Sequence, residues 1–252
     1  MGTELQVRLT GLSAPGQLVD LAQPFADLQS CWNACTSPEF MLWLSARLAA
    51  TAAERRAVVS CLAELTRRAE RGSRHLNPRV QQAAGTAETW VRAGSASLDD
   101  LLAAERAALD AAALAGVAAA EESARARQLF RSAPRSRPAS FGTSQALGAL
   151  AEWRESDRTR RLALAAAGTA RAAAEAARAD AAQLTAIQAG VVQPRTGHES
   201  AAPAGSWETC VGESAGYVIS ALAYSRPARR DDRAVRKAAR LVRRRLPCPS
   251  FD

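Results

Sequence analysis

The sequence predicts an all-α protein, either a multi-helix bundle or an array of helical pairs, with two long alanine-rich helices. Alanine accounts for 60 of the 252 residues and only 5% are aromatic, so side chains that favour β-sheets are scarce. Helix caps, glycine stops and prolines at first helical positions recur along the chain. In several stretches apolar residues return every three or four positions, which is the spacing of a helix buried on one face.

Residues 1–36 are the part least suited to regular structure. Short apolar runs are interrupted there by Gly11, Pro15, Gly16 and Pro24. We expect an irregular N-terminal arm that ends in one or two turns of helix near residues 25–35.

An N-terminal helical group is predicted over residues 37–131. The motif Ser37-Pro38-Glu39 combines an N-cap, a proline at the first helical position and a first-turn acid, so it starts a helix that runs to about residue 50. Thr51 and Glu54 form a capping box for a second helix that stops at Gly72.

Two further helices of this group are bounded by the same signals. Asn77-Pro78 opens one that stops at Gly94, and the motif Ser97-Leu98-Asp99-Asp100 opens another that reaches about residue 131. The latter is roughly 50 Å long, and its Gly116 marks a kink or a close helix crossing.

A connector rich in Pro, Ser and Arg at residues 132–143 precedes a C-terminal helical group at residues 144–252. The sequence leaves open whether the two groups pack as one domain. The expected helices are 144–155, 157–190, 207–224 and a final one that begins at Asp231 or Asp232 and ends at Leu246, with a second connector at 191–205. Because alanine buries little area, the core depends on leucine and on Trp32, Trp43, Trp90 and Trp153.

No assembled catalytic or metal-binding motif is present, so we expect no enzyme and no cofactor. Cys31 and Cys35 share a helical face and make half a zinc site, but no partner stands at a recognisable spacing, so buried structural cysteines are favoured. The remaining candidate ligands are Cys61, Cys210, Cys248, His75 and His198.

The sequence also offers no catalytic group. The two histidines lie in loops without a nucleophile or a phosphate-binding loop nearby. The side chains of the adjacent acid pairs Asp99-Asp100 and Glu121-Glu122 point in different directions, so neither pair forms a carboxylate dyad.

The positive charge is concentrated near the end of the sequence. Residues 1–225 are close to neutral, whereas residues 226–245 contain nine arginines and Lys237 against two acids. The final helix places an apolar stripe at Val235, Ala239, Val242 and Leu246. Its candidate partner-binding residues are Arg233, Arg236, Lys237, Arg240, Arg243, Arg244 and Arg245.

Three interpretations of this helix remain open. It is a docked helix with a solvated arginine face, a contact for an acidic protein partner, or a contact for nucleic acid or an anionic membrane. The segment has no interleaved aromatic residue on which bases could stack, and the chain has no second basic patch. There is neither a secretion signal nor an apolar run long enough to span a bilayer, so we expect a cytoplasmic protein with reduced thiols.

A resemblance to a known family rests on residues 31–130. Cys35-Thr-Ser-Pro-Glu-Phe-Met-Leu-Trp-Leu precedes an arginine-containing apolar helix, then Trp90-Val-Arg-Ala-Gly94, then a helix with paired alanines. This order resembles the alanine-rich helical immunity proteins of bacterial polymorphic-toxin systems. The resemblance implies a cytoplasmic protein that binds a cognate toxin and blocks it without catalysis.

The sequence therefore suggests a non-catalytic, immunity-like module that neutralises a toxin or other protein partner by occlusion. The alternative is a nucleic-acid-associated helical protein that binds phosphate through residues 226–245. Phosphate binding would weaken steeply with added salt, whereas a protein interface would retain its apolar contribution.

Overall fold

The fold is all-α, as predicted. A computed structural model describes residues 3–71, 73, 77–132, 140–188, 207–223 and 232–251, and all regular structure in these ranges is helical. The helices are α1 Glu4–Gly11, α2 Gly16–Ala22, α3 Leu28–Ala34, α4 Pro38–Leu48, α5 Ala52–Glu70, α6 Pro78–Ala93, α7 Leu98–Ser132, α8 Ser140–Gln188, α9 Trp207–Ala223 and α10 Asp232–Arg245.

The predicted helix signals operate at the predicted places. The Ser37 hydroxyl accepts from the Phe40 amide at the start of α4, and Thr51 with Glu54 forms a reciprocal capping box at α5. Gly94 ends α6 with a φ of 61°, a conformation that favours glycine. The long α7 follows, as predicted. Gly72, the predicted stop of the second helix, lies outside the described residues.

The N-terminal arm is helical, so the prediction of an irregular arm was wrong. Thr3 and Gln6 form a capping box that starts α1, which buries Leu5 and Leu9. The glycines and Pro15 fall at the boundaries of α1 and α2 and therefore separate two short helices. Only the predicted helical turns near residues 25–35 are confirmed, as α3.

The helix at 140–188 is continuous, although two segments were predicted. Nothing between Glu155 and Asp157 breaks a helix, since serine is tolerated there, and α8 runs for 49 residues. The expected pair Asp157–Arg161 supports it with an N–O distance of 2.6 Å.

The central part of α8 is the axis of the bundle. Most side chains at residues 162–176 are buried, and α8 packs against α5, α6, α7 and α9. A Cβ on Gly168 would lie only 2.7 Å from the Cβ of Ser214, so glycine permits the close approach of α9. At Gly116, where the sequence predicted a kink or a close crossing, a Cβ would make only ordinary contact with Arg160 of α8.

One set of buried side chains, from Leu5 to Leu246, draws on both predicted helical groups. Trp32, Trp43 and Trp90 are buried core anchors, as predicted. Trp153 is not, because it is only half-buried where the outer parts of α7 and α8 contact each other; there it lines a shallow cavity of about 310 Å³. In the described part of the chain, no helix combines the length and the apolarity needed to cross a membrane.

Candidate binding surface

The described residues assemble no metal-binding group of three or more His, Cys, Asp and Glu side chains. All five cysteines are free; Cys31, Cys35 and Cys61 are buried and Cys210 and Cys248 are half-buried. Burial raises the pKa of Cys31 to about 11 and that of Cys61 to about 12, so both are neutral thiols at pH 7. His75 and His198 lie outside the described residues.

Helix α10 is docked on the bundle. Its predicted apolar stripe, Val235, Ala239, Val242 and Leu246, is buried and packs against a surface formed by α4, α5 and α9. Ala238 and Leu241 are also buried and widen the docked side. The opposite side of the helix must therefore point outward.

Five cations occupy that outward side. Along the sequence they are separated by three, one, three and four residues. At 100° and 1.5 Å per residue this spacing places them within about a third of the circumference of the helix and over about 16 Å of its length. All five are exposed, and none forms a salt bridge with another described residue. We refer to Arg233, Arg236, Lys237, Arg240 and Arg244 as the basic face.

The other two candidate residues, Arg243 and Arg245, are engaged within the chain. Arg243 is half-buried at one edge of the docked side and donates to backbone carbonyls at the end of α3, the shortest N–O distance being 2.7 Å. Arg245, at the opposite edge, lies 2.8 Å from Glu64 of α5.

Glu64 is the only acidic side chain among the described residues that pairs with α10. Burial by itself would raise the pKa of Glu64, but hydrogen bonds from Arg68 and Arg245 outweigh it and hold the pKa below its usual value. Glu64 is thus a carboxylate at neutral pH and is already shared by two cations. It does not neutralise the basic face.

The basic face can attract a complementary row of negative charge. Its five charges lie within a distance comparable with two Debye lengths, about 8 Å each in physiological salt, so their fields add at the surface. All five residues are among the seven candidates named from the sequence. Helical geometry separates Arg245 from the other cations but not Arg243, which lies only about 20° from Arg236 around the helix axis. That Arg243 contacts carbonyls of α3 is visible only in the tertiary structure.

No family model, no curated protein and no solved structure matches this chain.

Proposed function

We propose that this protein is a non-catalytic binding module whose basic face binds an acidic surface of a protein partner. The resemblance to immunity proteins makes a cognate toxin the preferred partner, neutralised by occlusion. One observation carries the proposal: five exposed cations stand on one side of a docked helix and have no salt bridge within the described residues.

Two physical properties suit this surface to binding. The docked backbone of α10 is already ordered, so association does not pay the entropy of folding a flexible tail. None of the five cations forms a salt bridge with another described residue, so the arrival of a partner breaks no such pair. Charge complementarity of this kind accelerates encounter and selects acidic partners more than it raises affinity.

A protein is favoured over nucleic acid by the extent of the surface. Five cations over about 16 Å neutralise about five phosphates at most. Residues 1–225, with 23 arginines against 22 acids, add almost no net positive charge. The 232–245 segment has no aromatic side chain for base stacking. Nucleic acid is the alternative partner, and the cytoplasm, which keeps thiols reduced, is the compartment that suits five free cysteines.

The test is affinity capture from nuclease-treated extract of the native host with three versions of the chain. The basic-face variant changes all five cations to Gln. A matched control variant removes five exposed arginines elsewhere, at Arg79, Arg106, Arg125, Arg131 and Arg154. We expect the wild type and the control to retain one stoichiometric acidic protein and the basic-face variant to lose it.

The proposal fails if the basic-face variant retains that protein as well as the wild type does. Capture of nucleic acid alone, in extract without nuclease, would support the alternative. In that case the logarithm of the binding constant for duplex DNA should fall with the logarithm of salt concentration with a slope of about −4.5, the value for roughly five phosphates.

A further inference from the structure

Arg243 satisfies the end of a helix that is distant in sequence. Its Nη1 atom lies 2.7 Å from the carbonyl oxygen of Cys35, 2.9 Å from that of Asn33 and 3.3 Å from that of Trp32. These carbonyls belong to the last turn and C-cap of α3, where a helix lacks its own donors and carries partial negative charge. A guanidinium supplies both the donors and the opposite charge.

A further contact joins the same parts of the chain. The segment after α10 leads to Phe251, whose ring centroid lies 5.4 Å from the guanidinium carbon of Arg8 in α1. Trp32 of α3 and Leu246, just beyond α10, are buried in the common core. Helices α1 and α3 are therefore in contact with α10 and the residues that follow it.

Arg243 and Arg245 also constrain the rotation of α10. They are two residues apart and so project from opposite edges of the docked side, about 200° apart on the helix. One edge is tied to α3 by Arg243 and the other to α5 by Arg245 and Glu64. Because the basic face lies between these edges on the solvent side, the two ties act together with the buried apolar stripe to hold the direction in which it points.

We propose that Arg243 is a positioning residue for the basic face: it holds the rotation of α10 through α3, so that α3 influences partner binding without contacting the partner. This inference rests on the proposed function. It assigns Arg243 a role distinct from that of its neighbour Arg244, although both residues carry the same charge.

The experiment compares Arg243→Met, Arg243→Lys and Arg244→Met in the full chain. Hydrogen exchange of residues 28–35 is followed in the free protein, and affinity is measured with a fluorescent polyglutamate peptide. We expect Arg243→Met to accelerate exchange of residues 28–35 by roughly tenfold, and Arg244→Met to leave it unchanged. Arg243→Met should also weaken peptide binding more than Arg244→Met does.

Arg243→Lys separates geometry from charge. Lysine keeps the charge, but its shorter side chain ends before the position of Nη1, the single atom that reaches all three carbonyls, so we expect it to restore less than half of the lost affinity. A Gly94→Ala variant, strained at its left-handed φ and remote in sequence from α10, controls for general destabilisation and should bind the peptide as the wild type does.

Two results would overturn the positioning role alone: wild-type binding by Arg243→Lys, or faster exchange in Arg243→Met without a loss of affinity. Wild-type peptide binding by the five-fold basic-face variant would instead overturn the proposed function, and the positioning role with it. The exchange data from the free protein are obtained without any probe, so the two failures are distinguishable.

Discussion

The α5–α8 interface and the basic face of α10 use arginine in opposite ways. At the interface, Arg55 is 7% exposed and bonds Asp180 and Gln183, and Arg158 is 6% exposed and donates to the carbonyl of Ala69. On the basic face, each cation is exposed and lacks a salt bridge within the described ranges. A buried charge without a partner costs several kcal/mol, whereas an exposed one costs little. The first group therefore serves folding and the second is available for binding.

The largest expected effect is at the interface. In Arg55→Met the carboxylate of Asp180, with a side chain only 13% exposed, keeps Arg56 at 3.8 Å as its remaining cation among the described residues. We expect the free energy of unfolding to fall by about 3 kcal/mol, measured by urea denaturation. The double variant Arg55→Met, Asp180→Asn should recover part of this loss; full additivity of the two single changes would contradict the pairing.

The effect of replacing Arg243 on stability should lie between those of the two groups, because Arg243 belongs to α10 but donates hydrogen bonds to carbonyls of α3. We expect Arg243→Met to lower the free energy of unfolding by about 1.5 kcal/mol, which is typical of hydrogen bonds made by a charged group. Arg236→Met, on the same helix, is the control and should change it by less than about 0.5 kcal/mol. Equal effects of the two variants would contradict the distinction between Arg243, which serves the fold, and the cations of the basic face.

Glu70 on α5 tests the cost of a buried charge through pH. It is 3% exposed, and burial raises its pKa despite the opposing effect of Arg67, 3.2 Å away. With a folded-state pKa above the unfolded one, its contribution to stability is largest at low pH and is lost as pH rises through the folded pKa. In urea denaturation at several pH values, the stability of Glu70→Gln relative to the wild type should therefore increase from acidic to neutral pH. A constant difference would contradict the raised pKa.

The smallest effect on stability is expected from the basic face. Changing its five cations to Gln should alter the free energy of unfolding by no more than about 0.5 kcal/mol, and in the stabilising direction at low salt, because like charges no longer repel. Thermal denaturation at low and high salt measures this. A large destabilisation would show that these side chains serve the fold.

Local chemistry explains which elements could be predicted. Ser37, Thr51 with Glu54, and Gly94 act on backbone groups within a few residues, so their effects follow from the sequence. The same rules gave the wrong prediction for residues 1–36, where Gly11 and Pro15 separate two short helices. Leu5 and Leu9 of the first and Ala22 of the second are buried in a core formed largely by residues distant in sequence, which stabilises both helices. Trp153 shows the same limit of local rules, because an aromatic residue in the sequence does not reveal whether its part of the helix packs into the core of the bundle.

The sequence by itself determined the helical class, most helix boundaries and the periodic positions of the cations on α10, because propensity, capping and helical geometry are local. The tertiary structure decided which cations bind within the fold and which face outward. Arg55 bonds Asp180, which is 125 residues away in sequence, and Arg243 bonds the end of α3, which is more than 200 residues away. Such pairs depend on how helices cross, which is set by packing of the whole core and has no signature in either local stretch.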